Sequence, residues 1–190
     1  DAGYTVKAKI GRLAVFHDLA VFNRDIHDWI YWLGGAVWTP HNISEVNCKG
    51  IETENKLTYT FGKWKIHAGL NTAYVLATTT SSYIYNDGSI GKQIPYTPRY
   101  NGQANIGLAW QGITLTYNHT YTGYRFTTTD ESAWMVPYST GNVQLMYNRA
   151  IRNHSCQFIA SCNNIWNQQY QLVDQRPMPG INWLVGIRVE

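Results

Sequence analysis

Connections in this chain alternate strictly between two kinds. Links of about two residues stand at Gly11-Arg12, Gly62-Lys63, Gln111-Gly112 and Arg152-Asn153. Between them fall long, polar stretches rich in turn residues, at 34–44, 79–96, 129–137 and 174–180. An up-and-down antiparallel meander with all its short turns at one end produces that alternation, and few other folds do. The runs in between carry a period of two. Trp64, Ile66, Ala68 and Leu70 oppose Lys65, His67, Gly69 and Asn71. Ile106, Leu108 and Trp110 oppose Asn105, Gly107 and Ala109, while Ile113, Leu115 and Tyr117 oppose Thr114, Thr116 and Asn118. Each strand is therefore expected to have one apolar face.

The pattern predicts about nine strands: Gly3 to Ile10, Ala14 to Leu33, Glu45 to Thr60, one from Trp64 to the loop at 79, two flanking Gln111-Gly112, Thr140 to Ile151, His154 to Val173, and a last one from Ile181. In the last strand Ile181, Trp183, Val185, Ile187 and Val189 make an unbroken apolar side. Ile66, Leu108, Leu115 and Trp183 are expected to point one way, and Lys65, Asn105, Thr116 and Asn182 the other. Pro179-Gly180 is expected to form a tight turn that sets the register of the last strand.

Composition limits where such strands can live. Charged residues are 14% and aromatics 14%, with 8 Trp and 14 Tyr, against about 25% charged in an ordinary soluble domain. No apolar run reaches the ~18 residues of a helical membrane span, but a membrane barrel needs none, because alternate residues face lipid. Phe61, Trp64 and Trp110 gather near the tight end, and Trp29, Trp32, Tyr121, Tyr124, Trp166 and Tyr170 near the loop end, as interfacial girdles do. A net charge of +3 is too small and scattered for nucleic acid. Cys156 and Cys162 lie six residues apart on one predicted strand, about 20 Å, and cannot bridge. The histidines show no metal-ligand spacing, and Glu52 and Glu54 fall beside Lys56 on the polar face rather than as a catalytic pair. No enzyme site is expected, and no metal or cofactor. The competing architecture is a soluble secreted β-sandwich or small barrel that binds carbohydrate through exposed aromatics.

Several segments resemble a known family. IPYTPRYNG and YTGYRFTTTDESAWMVPY are similar to late-barrel segments of TonB-dependent outer-membrane receptors, particularly the smaller Bacteroidetes type. NNIWNQQYQLVDQRPMPGINWLVGI resembles the family's closing stretch and last strand, and FNRDIHDWIYW with WTPHNISEVNCKGIE an earlier segment. The resemblance implies an all-β, antiparallel transmembrane barrel. Residues 1–190 would supply the C-terminal portion, about nine of ~22 strands.

It also implies a role in import of a scarce large nutrient: a corrinoid, haem or ferric siderophore, with cobalamin or haem favoured. Loops would be extracellular, and tight turns and C-terminus periplasmic, in the bacterial outer membrane. The expected partners are outer-membrane lipid, a plug and earlier strands on a separate chain, TonB indirectly through that plug, and a surface lipoprotein. The chain opens without start methionine, basic n-region or h-region, so it is expected to be a piece of a longer polypeptide, begun at an extracellular loop as a protease nick would leave it. Trp38, Tyr83, Tyr85, Tyr96, Tyr124, Trp134 and Met178 are the expected ligand-binding residues of the loops.

Overall fold

A computed structural model describes residues 1–33, 39–83, 85–152 and 154–189, with the side chains of 31–33, 39 and 41–44 outside that description. Thirteen strands follow in order: Ala2–Ile10 (β1), Leu13–Leu33 (β2), Thr39–Phe61 (β3), Trp64–Ser81 (β4), Tyr100–Trp110 (β5), Ile113–Thr122 (β6), Arg125–Phe126 (β7), Trp134–Met135 (β8), Tyr138–Ile151 (β9), His154–Asn163 (β10), Gln171–Val173 (β11), Arg176–Pro177 (β12) and Asn182–Val189 (β13). Nine of them form one antiparallel sheet in the order β1-β2-β3-β4-β5-β6-β9-β10-β13, and β7–β8 and β11–β12 are two small ribbons within its loops. A single sheet, rather than two packed face to face, overturns the β-sandwich alternative. The outer edges of β1 and β13 have no strand partner among the described residues.

The alternation predicted strand by strand becomes rows that cross the whole sheet. One runs Ile10, Leu13, Tyr59, Ile66, Leu108, Leu115, Leu145, Ala160, Val185. The next runs Ala8, Val15, Leu57, Ala68, Ile106, Tyr117, Val143, Cys162, Trp183. Every member is apolar or aromatic. On the opposite face the row Lys9, Ala14, Thr58, His67, Gly107, Thr116, Gln144, Ser161, Leu184 is polar or small in all but Leu184. Ile66, Leu108, Leu115 and Trp183 thus share one face, and Lys65, Asn105, Thr116 and Asn182 the other. The apolar face is uncovered: Ile10, Leu108, Leu145, Trp183 and Val185 are all exposed. Some of its polar groups pair with one another, Tyr4 Oη with His17 Nε2 at 3.1 Å and His17 Nδ1 with Asn55 Oδ1 at 2.6 Å.

Gly11-Arg12, Gly62-Lys63 and Gln111-Gly112 are two-residue hairpin turns with a positive φ at the first position, 58°, 55° and 45°, and at the fourth link Arg152 also has a positive φ, 54°. They do not share a register. On β9 the row through Ile10 and Leu13 reaches Leu145, six residues before Ile151 closes onto His154. Six residues are ~20 Å along a strand, and six strand spacings separate the two turns by ~29 Å. For these turns to lie at one level the strands must tilt by roughly 35°, as in barrels. Near this end Phe61, Trp64 and Trp110 stack in series, at centroid distances of 6.4 and 5.4 Å.

The long end departs from expectation in three places. Strand β3 begins at Thr39, not Glu45, because beyond Glu45 it pairs with β2 alone, and such an edge tolerates Pro40. A bulge around Asp28, at φ 56°, shifts the register of that hairpin. The eighth long strand, β10, stops at Asn163 instead of Val173. Asn164 takes φ 50°, which no ladder accommodates, and its buried side chain bonds Gln168 N at 2.9 Å and Pro179 O at 3.2 Å. Finally, Pro179-Gly180 is not a tight turn, and Gly180 lacks a positive φ. Gly180 lies close to the Asn167 side chain, whose Oδ1 would stand 2.4 Å from a Cβ at this position and would have to move to admit one. The turn before the last strand is instead at Asp174-Gln175, inside the β11–β12 ribbon.

Candidate functional site at the loop end

Three loops, 82–99, 123–137 and 164–181, are built on the ends of β4, β6 and β10. The first is folded back onto its own strand. Strand β5 stops pairing with β4 at Tyr74, and residues 91–99 take over the exposed edge above it. Val75 N donates to Arg99 O at 2.9 Å, Ile94 N to Ala77 O at 2.8 Å, and Thr79 N to Lys92 O at 3.0 Å. Gln93, 1% exposed, fills the remaining gap. Its Oε1 accepts from Ala77 N at 3.1 Å, and its Nε2 donates to Val75 O and Thr97 O. Val46, Ala77 and Ile94, with Trp29, Cys48 and Val75, form a small apolar cluster under this loop.

The second loop is latched to the first. Glu131, at φ 61°, accepts from Gln93 N at 2.9 Å and lies 3.6 Å from Arg99 Nη2 and 3.7 Å from Lys92 Nζ. Tyr96 N donates to Phe126 O at 2.8 Å. Beside Glu131, hydrogen bonds from the Ser132 hydroxyl, then Thr128 and the Ser132 amide, hold the Asp130 carboxyl at about 2, well below its usual range. In the first loop, burial works against ionisation of Asp87, but bonds from Ser82 and Ser89 prevail and its pKa is lowered.

The seven aromatic or thioether residues singled out from the sequence divide in this frame. Tyr124 packs edge-on to Phe126 at 5.2 Å and near Trp134 at 6.0 Å, so these two come together. Tyr96 joins them through its backbone bond to Phe126. Met178 sits across the third loop, with its N bonded to Tyr170 O at 3.0 Å. Tyr83 and Tyr85 stand apart, the latter 99% exposed. Trp38 lies outside the described residues. The residues that organise the loops lie outside those seven: Gln93, Glu131, Asn164, Arg125 and Tyr138, the last stacked at 4.6 Å on Tyr170, which the sequence had offered only as a girdle residue.

Below the loops, the polar face is divided by charge. Asp18, Glu52 and Glu54 line a concavity with Asn71, Asn101 and Gln103, while Lys7, Lys9, Lys56 and Lys65 lie nearer the tight turns. Lys56 Nζ bonds Glu54 Oε1 at 2.6 Å where the two zones meet. Among the described residues no group of His, Cys, Asp or Glu is placed to hold a metal ion.

A tilted meander with one uncovered apolar face, short turns at one end and built loops at the other defines a segment of a large β-barrel wall. The family model for the TonB dependent receptor-like β-barrel matches residues 1–165, and the chain belongs to that family. No curated protein matches it. Among solved structures it is similar to the ferric preacinetobactin receptor of Acinetobacter baumannii, at TM-score 0.63 and 17% identity over 96% of this chain and 28% of that one. It is similar also to the ferric yersiniabactin uptake receptor of Yersinia pestis, at 0.61 and 15% over 97% and 28%. A third is the FrpB iron transporter of Neisseria meningitidis, at 0.59 and 13% over 95% and 29%. These likenesses are of fold. The chain spans less than a third of the length of each.

Proposed function

We propose that this sheet is part of the wall of an outer-membrane importer that takes up a scarce metal-chelate nutrient, of the ferric siderophore, haem or corrinoid kind. The observation that carries the reading is the pair of apolar rows crossing all nine strands on one face, opposite a polar row on the other. Apolar surface of that extent is stable only against lipid or another apolar body. The polar face then lines the lumen, the tight turns are periplasmic and the loops extracellular. Strands outside these residues continue the barrel from the free edges of β1 and β13, because unpaired backbone cannot face hydrocarbon. A plug in that lumen would be the element on which TonB acts. Ferric siderophores lead the cargo classes, since the relatives described above are named for ferric complexes or iron. The loop residues Tyr96, Tyr124, Trp134 and Met178 face that cargo, with Tyr83 and Tyr85 outermost.

Labelling of intact cells tests the orientation. With the three native cysteines replaced by Ser, a membrane-impermeant maleimide should label Tyr85→Cys on whole cells. It should reach Lys63→Cys only after the outer membrane is opened. Equal labelling at both positions would sink the assignment. Growth on single iron, haem or cobalamin sources, with and without the receptor, then separates the cargo classes.

A further inference from the structure

Between the β7–β8 and β11–β12 ribbons lies a cleft of about 340 Å³, lined by Trp134, Met135, Tyr138, Tyr170 and Gln171 among others. Behind its wall sits Arg125, only 3% exposed. One guanidinium nitrogen, Nη2, donates to Gln171 O, and the group lies 5.2 Å from the centroid of the Tyr138 ring. The other terminal nitrogen, Nη1, is buried with no hydrogen-bond partner among the described residues. None of the ion pairs among those residues includes Arg125. A guanidinium cannot shed its proton to escape burial, so withdrawal from water without a counter-charge is costly. What relieves that cost is an anion.

Two of the groups that Arg125 touches, Tyr138 and Gln171, are themselves walls of the cleft. Tyr170 stacks on Tyr138, and its phenol is raised by burial and then by Tyr138, so it remains an O–H donor at neutral pH. The ribbons are two- and three-residue strands, the kind of element that opens locally at little cost. We propose that this cleft binds a carboxylate-type anionic group carried on an aromatic or apolar body, with Arg125 as its counter-charge and Tyr138, Tyr170 and Trp134 as its walls. The proposal rests on the reading of the loop end as the mouth of an importer, and narrows the cargo there to one that presents such a group. Asp174, which also lines the cleft, opposes an anion and weakens its binding.

The test uses the complete receptor in detergent at low salt, with benzoate as the probe and benzamide as its neutral isostere, followed by saturation-transfer NMR. Benzoate is expected to bind at least tenfold more tightly than benzamide. Arg125→Gln should abolish that preference while leaving benzamide binding in place. Asp174→Asn should tighten benzoate several-fold and leave benzamide unchanged. Equal binding of the two probes by the unaltered receptor, as when a carboxylate of the plug already occupies Arg125, overturns the proposal. So does a preference that survives Arg125→Gln. Should that variant not fold, Asp174→Asn decides, and an unchanged benzoate affinity counts against the site. A receptor that prefers benzoate yet imports nothing refutes the importer reading alone. One that imports normally but shows no preference refutes only the anion site.

Discussion

At the tight-turn end of the sheet, four two-residue links, stacked Trp64 and Trp110 and full apolar rows repeat one rule from strand to strand. At the loop end each of the three described connections is held by a different side chain. One loop zips along β4 through Gln93, the next is a ribbon latched by Glu131, and the third is gathered on the side chain of Asn164. Side chains at the first end are interchangeable within the classes apolar and polar. At the second, single polar groups hold single backbone atoms. A periodic solvent boundary selects for the first kind of construction, and recognition of one particular molecule for the second.

Substitutions can break this contrast. Leu108 lies in an apolar row, and its replacement by Arg should destabilise the barrel by about 2–4 kcal/mol if that row lies near the membrane midplane, and by less towards the interface. Asn105→Arg, on the other face of the same strand, should cost well under half as much. Urea titration of the receptor in vesicles compares the two, and equal penalties would erase the distinction between faces.

Gln93→Ala should act at the loop end alone. It leaves the buried Ala77 N–H without its acceptor, at a cost of about 1–3 kcal/mol. Exchange at the Ala77 amide should quicken tenfold or more while amides of β5 and β6 hold their rates. Parallel acceleration across the sheet would show that the two ends unfold as one.

Smaller effects sharpen the comparison. Glu131→Gln removes the charge that faces Lys92 and Arg99, both half-exposed, and should cost about 0.5 kcal/mol, read as faster protease nicking of 123–137. Asp130 should confer an acid transition confined to the same loop. Its pKa falls from 3.8 to about 2 on folding. Its contribution is therefore complete above the unfolded value and lost as pH drops through the folded one. Protection of the Ser132 amide should hold from neutral pH to about 4 and fall between there and 2. An Asp130→Asn receptor should show no such step.

Legibility followed the same division. Periodicity revealed the faces of Ile66, Leu108, Leu115 and Trp183, and glycine revealed three of the four turns, because both signals are local and repeat. The extent of β3 and β10 was misjudged for lack of such a signal. Pro40 and Asn42 read as loop residues until a two-stranded extension gives them an edge to occupy. Asn164 looks like any other Asn until its left-handed backbone ends a strand. Trp134 and Tyr124 were found as loop aromatics, yet Arg125 and Gln93 were not, since their importance arises from burial. Burial of a loop depends on which other loop lies above it, and nothing local encodes that.

The order of strands in the sheet carries a consequence for biogenesis. Once the two ribbons are set aside, every pairing joins strands consecutive along the chain. Such a meander can grow one hairpin at a time, each added strand finding a template already beside it, with little search over distant contacts. Among the described residues the outer edges of β1 and β13 are left without a strand partner. Their free N–H and C=O groups are tolerable in water and cost several kcal/mol each in hydrocarbon. Growth along the chain is therefore local, and the growing sheet needs its edges sheltered until neighbouring strands have joined them.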